Sequence, residues 1–245
     1  MEINNWNLKH PRQITDLLKA QQKLEQVIDS PAPDTGGLFN EKTLESTLDA
    51  MINHSLVSGH ERVRAVNQAR SLIENKLFQA VQSNLDDYLA QASESFDAAA
   101  ELYEANIYEL PAQPFTAEDV LGFSAEQREA YDRVVEAAGV LSHWMNWALE
   151  LTELPAESLG PWSKWHTIVS PETVGGLVVL ELEDSSTGIP AWDRTLPVVA
   201  RALREDGTLR LASPTAARRE ADRVEEERQD MADEDYRVLR ADLGL

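Results

Sequence analysis

With 245 residues, 43 Asp+Glu against 22 Lys+Arg and a formal net charge of −21, the chain repels nucleic acid backbones and anionic membrane surfaces. It has no cysteine, which excludes disulfides, thiolate metal sites and thiol nucleophiles. A hydrophobic content of 42% allows a sizeable core, in one large domain or two modest ones.

The N-terminus from Met1 to Leu8 lacks a basic start followed by an apolar core, so no signal peptide is expected. The longest apolar run, near residues 176–180, is far too short for a bilayer. A cytoplasmic location without membrane association is therefore the expectation. Pro11 to Asp29 predicts a first helix, with Ile14, Leu17, Leu18, Leu24, Val27 and Ile28 as its apolar stripe. Ser30 to Gly37 reads as a loop. Asn40 then caps a second helix reaching about Val57 and carrying Leu44, Leu48, Met51, Ile52 and Leu56, with Gly59 ending it.

From His60 to Leu110 there is neither glycine nor proline. As one helix this span would extend roughly 75 Å, far beyond the ~18 Å radius of gyration of a compact globule this long. It would have to project, bend back or meet another chain. From Ile73 to Tyr103 the stripe covers 30 residues in eight steps, about 3.75 per step, wider than a left-handed coiled coil requires. Packing against the preceding helix or in a loose bundle fits better. Asn84-Leu85-Asp86-Asp87 and Ser93-Glu94-Ser95 hold residues that could cap a new helix, so a break there is the alternative.

Leu110 to Pro114 ends the segment. Thr116 to Leu121 forms a short turn, and Ser124-Ala125-Glu126-Gln127 is a capping box opening a helix to about Leu154. Beyond Pro155 the segments Trp165–Val169, Leu177–Leu182, Leu196–Leu203 and Thr208–Ala212 read as short strands. Arg204 to Gly207 serves as a hairpin turn, although Ala200 to Leu203 suits a helix as well. From Pro214 the chain is polar, with 10 acids and 6 bases over residues 215–245, and predicts a solvated helix or a flexible tail. The expected fold is mainly α: an extended helical hairpin or bundle over residues 1–155, a small antiparallel β module over 156–213, and a charged tail over 214–245.

Few residues point to chemistry. Asp34-Thr35-Gly36 spells the aspartic protease triplet, yet prolines precede it and no second copy exists to share a proton, so a turn is the better reading. His10, His54, His60, His143 and His166 show no zinc-binding interval, and neither a phosphate loop nor a Gly-x-Ser-x-Gly elbow is present. No metal or cofactor is expected. Trp144 and Trp147 share a helical face, and Trp162 and Trp165 follow shortly after. They are the candidate partner-binding residues, as a platform or hot spot; the competing reading is that they fill the joint between helices and sheet.

Acid is concentrated in one place. Residues 84–136 hold 13 Asp+Glu against Arg128 and Arg133, a net of −11, while residues 1–83 balance 10 acids with 9 bases. The general form, with extended helices, a small β module and a charged tail, is similar to phage or prophage assembly and scaffolding proteins; the likeness is architectural. Three functions follow as expectations. The first is a non-enzymatic assembly or adaptor protein, a homo-oligomer or a binder of a protein partner rather than of nucleic acid. The second is an acidic inhibitor that mimics nucleic acid and captures a basic protein. The third is an enzyme with fold-assembled carboxylates, Asp34, Glu181, Glu183 and Asp184 being its first suspects.

Overall fold

A computed structural model describes residues 3–28, 44–57, 60–182 and 188–243. The protein is mainly α-helical with a small two-stranded antiparallel sheet. Among the described residues no helix is long and apolar enough to cross a membrane. The chain divides at Asn84 into two compact units, Lys9–Asn84 and Met1–Leu8 with Leu85–Leu245.

The Lys9–Asn84 unit holds α1 (Arg12–Ile28), α2 (Leu44–Val57) and α3 (His60–Ser83). Helix α1 packs on α3, and Glu25 accepts a forked pair of bonds from Arg70, 2.9 and 3.1 Å from its Nη2. Ile14, Leu77, Ala80 and Val81 are buried, whereas Leu44, Leu48 and Leu72 are exposed. The loop expected before α2, Asp34 included, lies outside the described residues.

The glycine-free span is two helices rather than one, α3 and α4 (Leu85–Ile107). Asn84 is the reason. Its side-chain amide donates to the Ala80 carbonyl at 2.7 Å, taking the acceptor that its own backbone N–H would use in a continuing helix. That N–H turns instead to Val81 at 3.0 Å, a tightened last turn. Asp86 and Asp87 then sit in the first turn of α4, where the helix dipole favours negative charge.

In the larger unit α4 packs antiparallel on α6 (Ala125–Glu150). Ser95 meets Trp144 near one end of the pair, and Gln127 reaches the Glu109 carbonyl at the other. Tyr88, Phe96 and Tyr103 on α4 face Val134, Leu141 and Ala148 on α6 in a fully enclosed seam. Burying each large side chain contributes roughly 1.5–3 kcal/mol. Both α5 (Ala117–Leu121) and α6 open with complete capping boxes, Thr116 with Asp119 and Ser124 with Gln127.

The β module is smaller than its sequence suggests. Among the described residues only β1 (Val169–Ser170) and β2 (Thr208–Leu209) pair, with Val169 opposite Leu209. Two backbone bonds, from Arg210 to Ile168 and from Ala212 to Thr167, prolong the ladder. The expected strands at 177–182 and 196–203 are instead α7 (Val174–Leu182) and α9 (Pro197–Arg204). Every residue from Val174 to Leu180 is buried, and a segment apolar on all sides carries no period to separate strand from helix. A Cβ on Gly175 would lie 2.9 Å from the Glu205 carboxylate and one on Gly176 3.2 Å from the Glu205 carbonyl, so the glycines let α7 close against the end of α9. Arg204 to Gly207 turns the end of α9 into β2, with Gly207 N–H on the Ala202 carbonyl and Asp206 left-handed at φ 59°.

Helix α8 (Pro190–Asp193) precedes α9. The charged end forms α10 (Pro214–Asp230) and α11 (Asp233–Asp242). Of the expected solvated helix or flexible tail, α10 is the helix, but one of its sides is not solvated. Ala217, Ala221 and Val224 form a buried stripe at helical spacing against α7 and the 3-10 turn Lys164–Thr167. Alanines supply that stripe, and their small apolar surface hides it among charged neighbours.

Candidate functional site

The sequence-predicted tryptophans divide into two groups. Trp144 and Trp147 are buried, at 6% and 3% exposure, in the seam between α4 and α6. Their rings meet edge to face at 5.6 Å, Trp147 meets Trp6 at 5.6 Å, and Trp6 meets Tyr88 at 5.3 Å. The indoles of Trp144 and Trp6 donate to Ser95 Oγ and Glu150 Oε2. Burial pushes the Tyr88 phenol up to about 12, so it stays neutral. Trp165 is also buried, beneath the Lys164 ammonium 5.1 Å from its ring centroid. Trp162 is half-buried and donates to Asp222 Oδ1 at 2.8 Å, tying the loop after α6 to α10. These geometries are those of packing rings. Trp6, which completes the cluster, stands in a short segment without periodicity and gave no signal in the sequence.

The acid block is a surface. Asp86, Asp87, Glu94, Asp97, Glu101 and Glu104 are all exposed, and α4 contains no lysine or arginine. Glu94, Asp97, Glu101 and Glu104 recur at intervals of three, four and three residues, which places them in one stripe. The opposite side of the helix is core, from Tyr88 through Phe96 to Tyr103. Glu118, Asp119, Glu126, Glu129, Asp132 and Glu136 extend the exposed acid onto α5 and α6. Of the two arginines there, Arg133 pairs with Glu129, while Arg128 donates through Nε to the Phe123 carbonyl. Bonds from the Thr116 backbone and hydroxyl hold Asp119 below the usual carboxylate range, and the backbone N–H of Glu126 with the Ser124 hydroxyl does so for Glu126.

Of the enzymatic suspects only Glu181 is among the described residues. Glu181 lies 3.5 Å from Arg228, and burial raises its pKa in spite of that neighbour. Asp34, Glu183 and Asp184 fall outside the described residues. Among the described residues no three His, Asp or Glu form a group that could hold a metal ion. His143 is exposed against the edge of Trp144, and His166 is buried. A cleft of about 400 Å³ lies beside the Leu110–Pro114 loop, walled by Pro111, Pro114, Trp192 and Pro197 with Arg201 and Arg204 on α9. Its volume suits a small molecule, and the Arg201 guanidinium is bonded to the Leu243 carbonyl.

Comparison with protein-family models, curated proteins and solved structures finds no match.

Proposed function

We propose that the chain is a non-enzymatic assembly or adaptor protein, and that the acidic face of α4 engages a basic protein partner. The observation that carries this reading is the stripe Glu94–Asp97–Glu101–Glu104, exposed on a helix whose reverse side is locked into the core. The backbone beneath these charges is already ordered when a partner arrives, and a single-signed surface steers encounter with a basic one. Strict imitation of nucleic acid is the weaker reading. Four carboxylates over ten residues of helix cover ~15 Å of its axis, sparser than the one phosphate per ~3.4 Å of axis that a single DNA strand carries. The phage-assembly form of the role rests on architectural likeness alone.

The test is capture with the full chain, read by mass spectrometry, comparing wild type with the quadruple variant Glu94→Lys, Asp97→Lys, Glu101→Lys, Glu104→Lys. Basic proteins that elute as salt rises, and that the variant fails to hold, are the expected result. Partners indifferent to both salt and the substitutions would remove the proposal. Self-association has separate support in Leu44 and Leu48, one turn apart on α2 and 43% and 48% exposed. A second copy is the proposed occupant of that face, and light scattering should show a multimer that Leu44→Glu with Leu48→Glu dissociates.

A further inference from the structure

The cleft beside the Leu110–Pro114 loop has a volume of about 400 Å³, within the ~300–1,000 Å³ of small-molecule sites. Pro111, Pro114 and Pro197 form part of its wall, and proline rings lose no rotamer freedom when a ligand covers them. Trp192, also in the wall, is 9% exposed and packs edge to face on Phe115 at 5.0 Å. The apolar side of the cleft is therefore formed in advance. Arg201 and Arg204 stand one turn apart on α9, and both line the cleft. Arg201 is engaged, donating to the Leu243 carbonyl. Arg204 is exposed and forms no hydrogen bond or ion pair with a described residue, although the chain holds 43 acids against 22 bases. Two acids also border the cleft. The Glu205 carboxylate is turned to the first turn of α7, where a Cβ on Gly175 would lie 2.9 Å from it. Asp242 is exposed at the end of α11, where water and salt screen it.

We propose that this cleft binds a small monocarboxylate with a flat apolar body, the body against Trp192 and the prolines and the carboxylate on Arg204. A guanidinium matches a carboxylate through two parallel N–H bonds, a fit that a neutral head group lacks. A cationic ligand would meet two guanidinium groups. A doubly charged phosphate would meet Asp242, with no second unengaged cation to offset it. One negative charge and an apolar body are what the lining accommodates. The site is additional to the acidic face of α4 and does not rest on the function proposed for that face.

An NMR titration of the isotope-labelled full chain tests this, using naphthalene-2-carboxylate, its neutral carboxamide and naphthalen-2-ylmethylamine as probes. The carboxylate is expected to bind with a Kd of roughly 1 mM or tighter. Its shifts should centre on α9, Trp192 and the Leu110–Pro114 loop. It should bind about threefold or more tighter than the carboxamide, since the partner guanidinium is exposed. Arg204→Gln should leave the fold and carboxamide binding unchanged while removing that preference, the signature of a direct pair in a double-mutant cycle. Equal binding of carboxylate and carboxamide, tighter binding of the amine, or a preference that survives Arg204→Gln would each overturn the assignment. So would shifts centred elsewhere on the chain, or none at millimolar probe.

Discussion

The phenolic hydroxyl of Tyr103 on α4 donates to the Thr195 carbonyl at 2.5 Å, 92 residues further along the chain, and lies 3.1 Å from the Leu196 carbonyl. Both residues just precede α9, and Leu196 is left-handed at φ 52°. That conformation costs a leucine roughly 1–2 kcal/mol. Tyr103 and Thr195 are fully buried, and Thr195 Oγ1 donates in turn to the Trp192 carbonyl at 2.7 Å. The hydroxyl therefore holds a strained turn and satisfies the buried Thr195 carbonyl. Tyr103→Phe should destabilise the larger unit by about 1–3 kcal/mol, measured by urea denaturation. An unchanged midpoint would show that the turn is held by other contacts.

His166 makes stability depend on pH. Burial lowers its pKa from 6.5 to about 4, so between those values the unfolded chain binds the proton and the folded chain does not. Its contribution is intact above pH 6.5 and is lost progressively as pH falls towards 4. From pH 7 to pH 5 the wild type should lose about 2 kcal/mol through this group. Denaturation of wild type and His166→Phe at both pH values isolates it, since the difference between the proteins should change by that amount.

Two glycines predict opposite outcomes. A Cβ on Gly139, inside α6, would meet nothing within 4 Å. Gly139→Ala should stabilise by up to about 1 kcal/mol through helix propensity. A Cβ on Gly207 would stand 2.7 Å from the Ala202 carbonyl oxygen. Gly207→Ala should cost about 1–3 kcal/mol, since only a backbone shift could relieve it. Circular dichroism melts of the two variants check both signs.

Loss of the α6 cap should be felt in the first turn of the helix. Ser124 Oγ accepts from Gln127 N–H at 3.2 Å, while the Gln127 side chain accepts from Ser124 N–H at 3.2 Å. Ser124→Ala removes half of the box and should cost about 0.5–2 kcal/mol. Hydrogen exchange should show faster opening confined to the first turn of α6 if the core below is unaffected.

Much of the helical plan was legible in the sequence because its signals are local. The capping box at Ser124, the proline-bounded loop after Leu110 and the stripe from Ile73 to Tyr103 all depend on neighbours within a turn or two. Asn84 was visible as one possible break, but propensity alone could not decide it, because the deciding bond is the one its amide makes to Ala80. The strand assignments at 177–182 and 196–203 failed for a different reason. Val174 to Leu180, buried on every side, lose the alternation that distinguishes the two structures, and Gly176 is explained only by the approach of the Glu205 carbonyl. Pro197–Arg204, by contrast, keeps a half-exposed side at Arg201 and Arg204, and its valines and leucines are what read as a strand.

The candidate site follows the same division. That residues 84–136 carry a net −11 is a property of composition, and it needed no fold to be seen. That Glu94, Asp97, Glu101 and Glu104 stand on a firmly seated helix, while Trp144 and Trp147 turn inward to Trp6, required the tertiary structure. Charge and helix-forming tendency belong to residues and short spans, so the sequence alone determined them. Which face is hidden depends on what arrives from far along the chain, as Trp6 does at Trp147 and Ser95 at Trp144, and packing alone decided that.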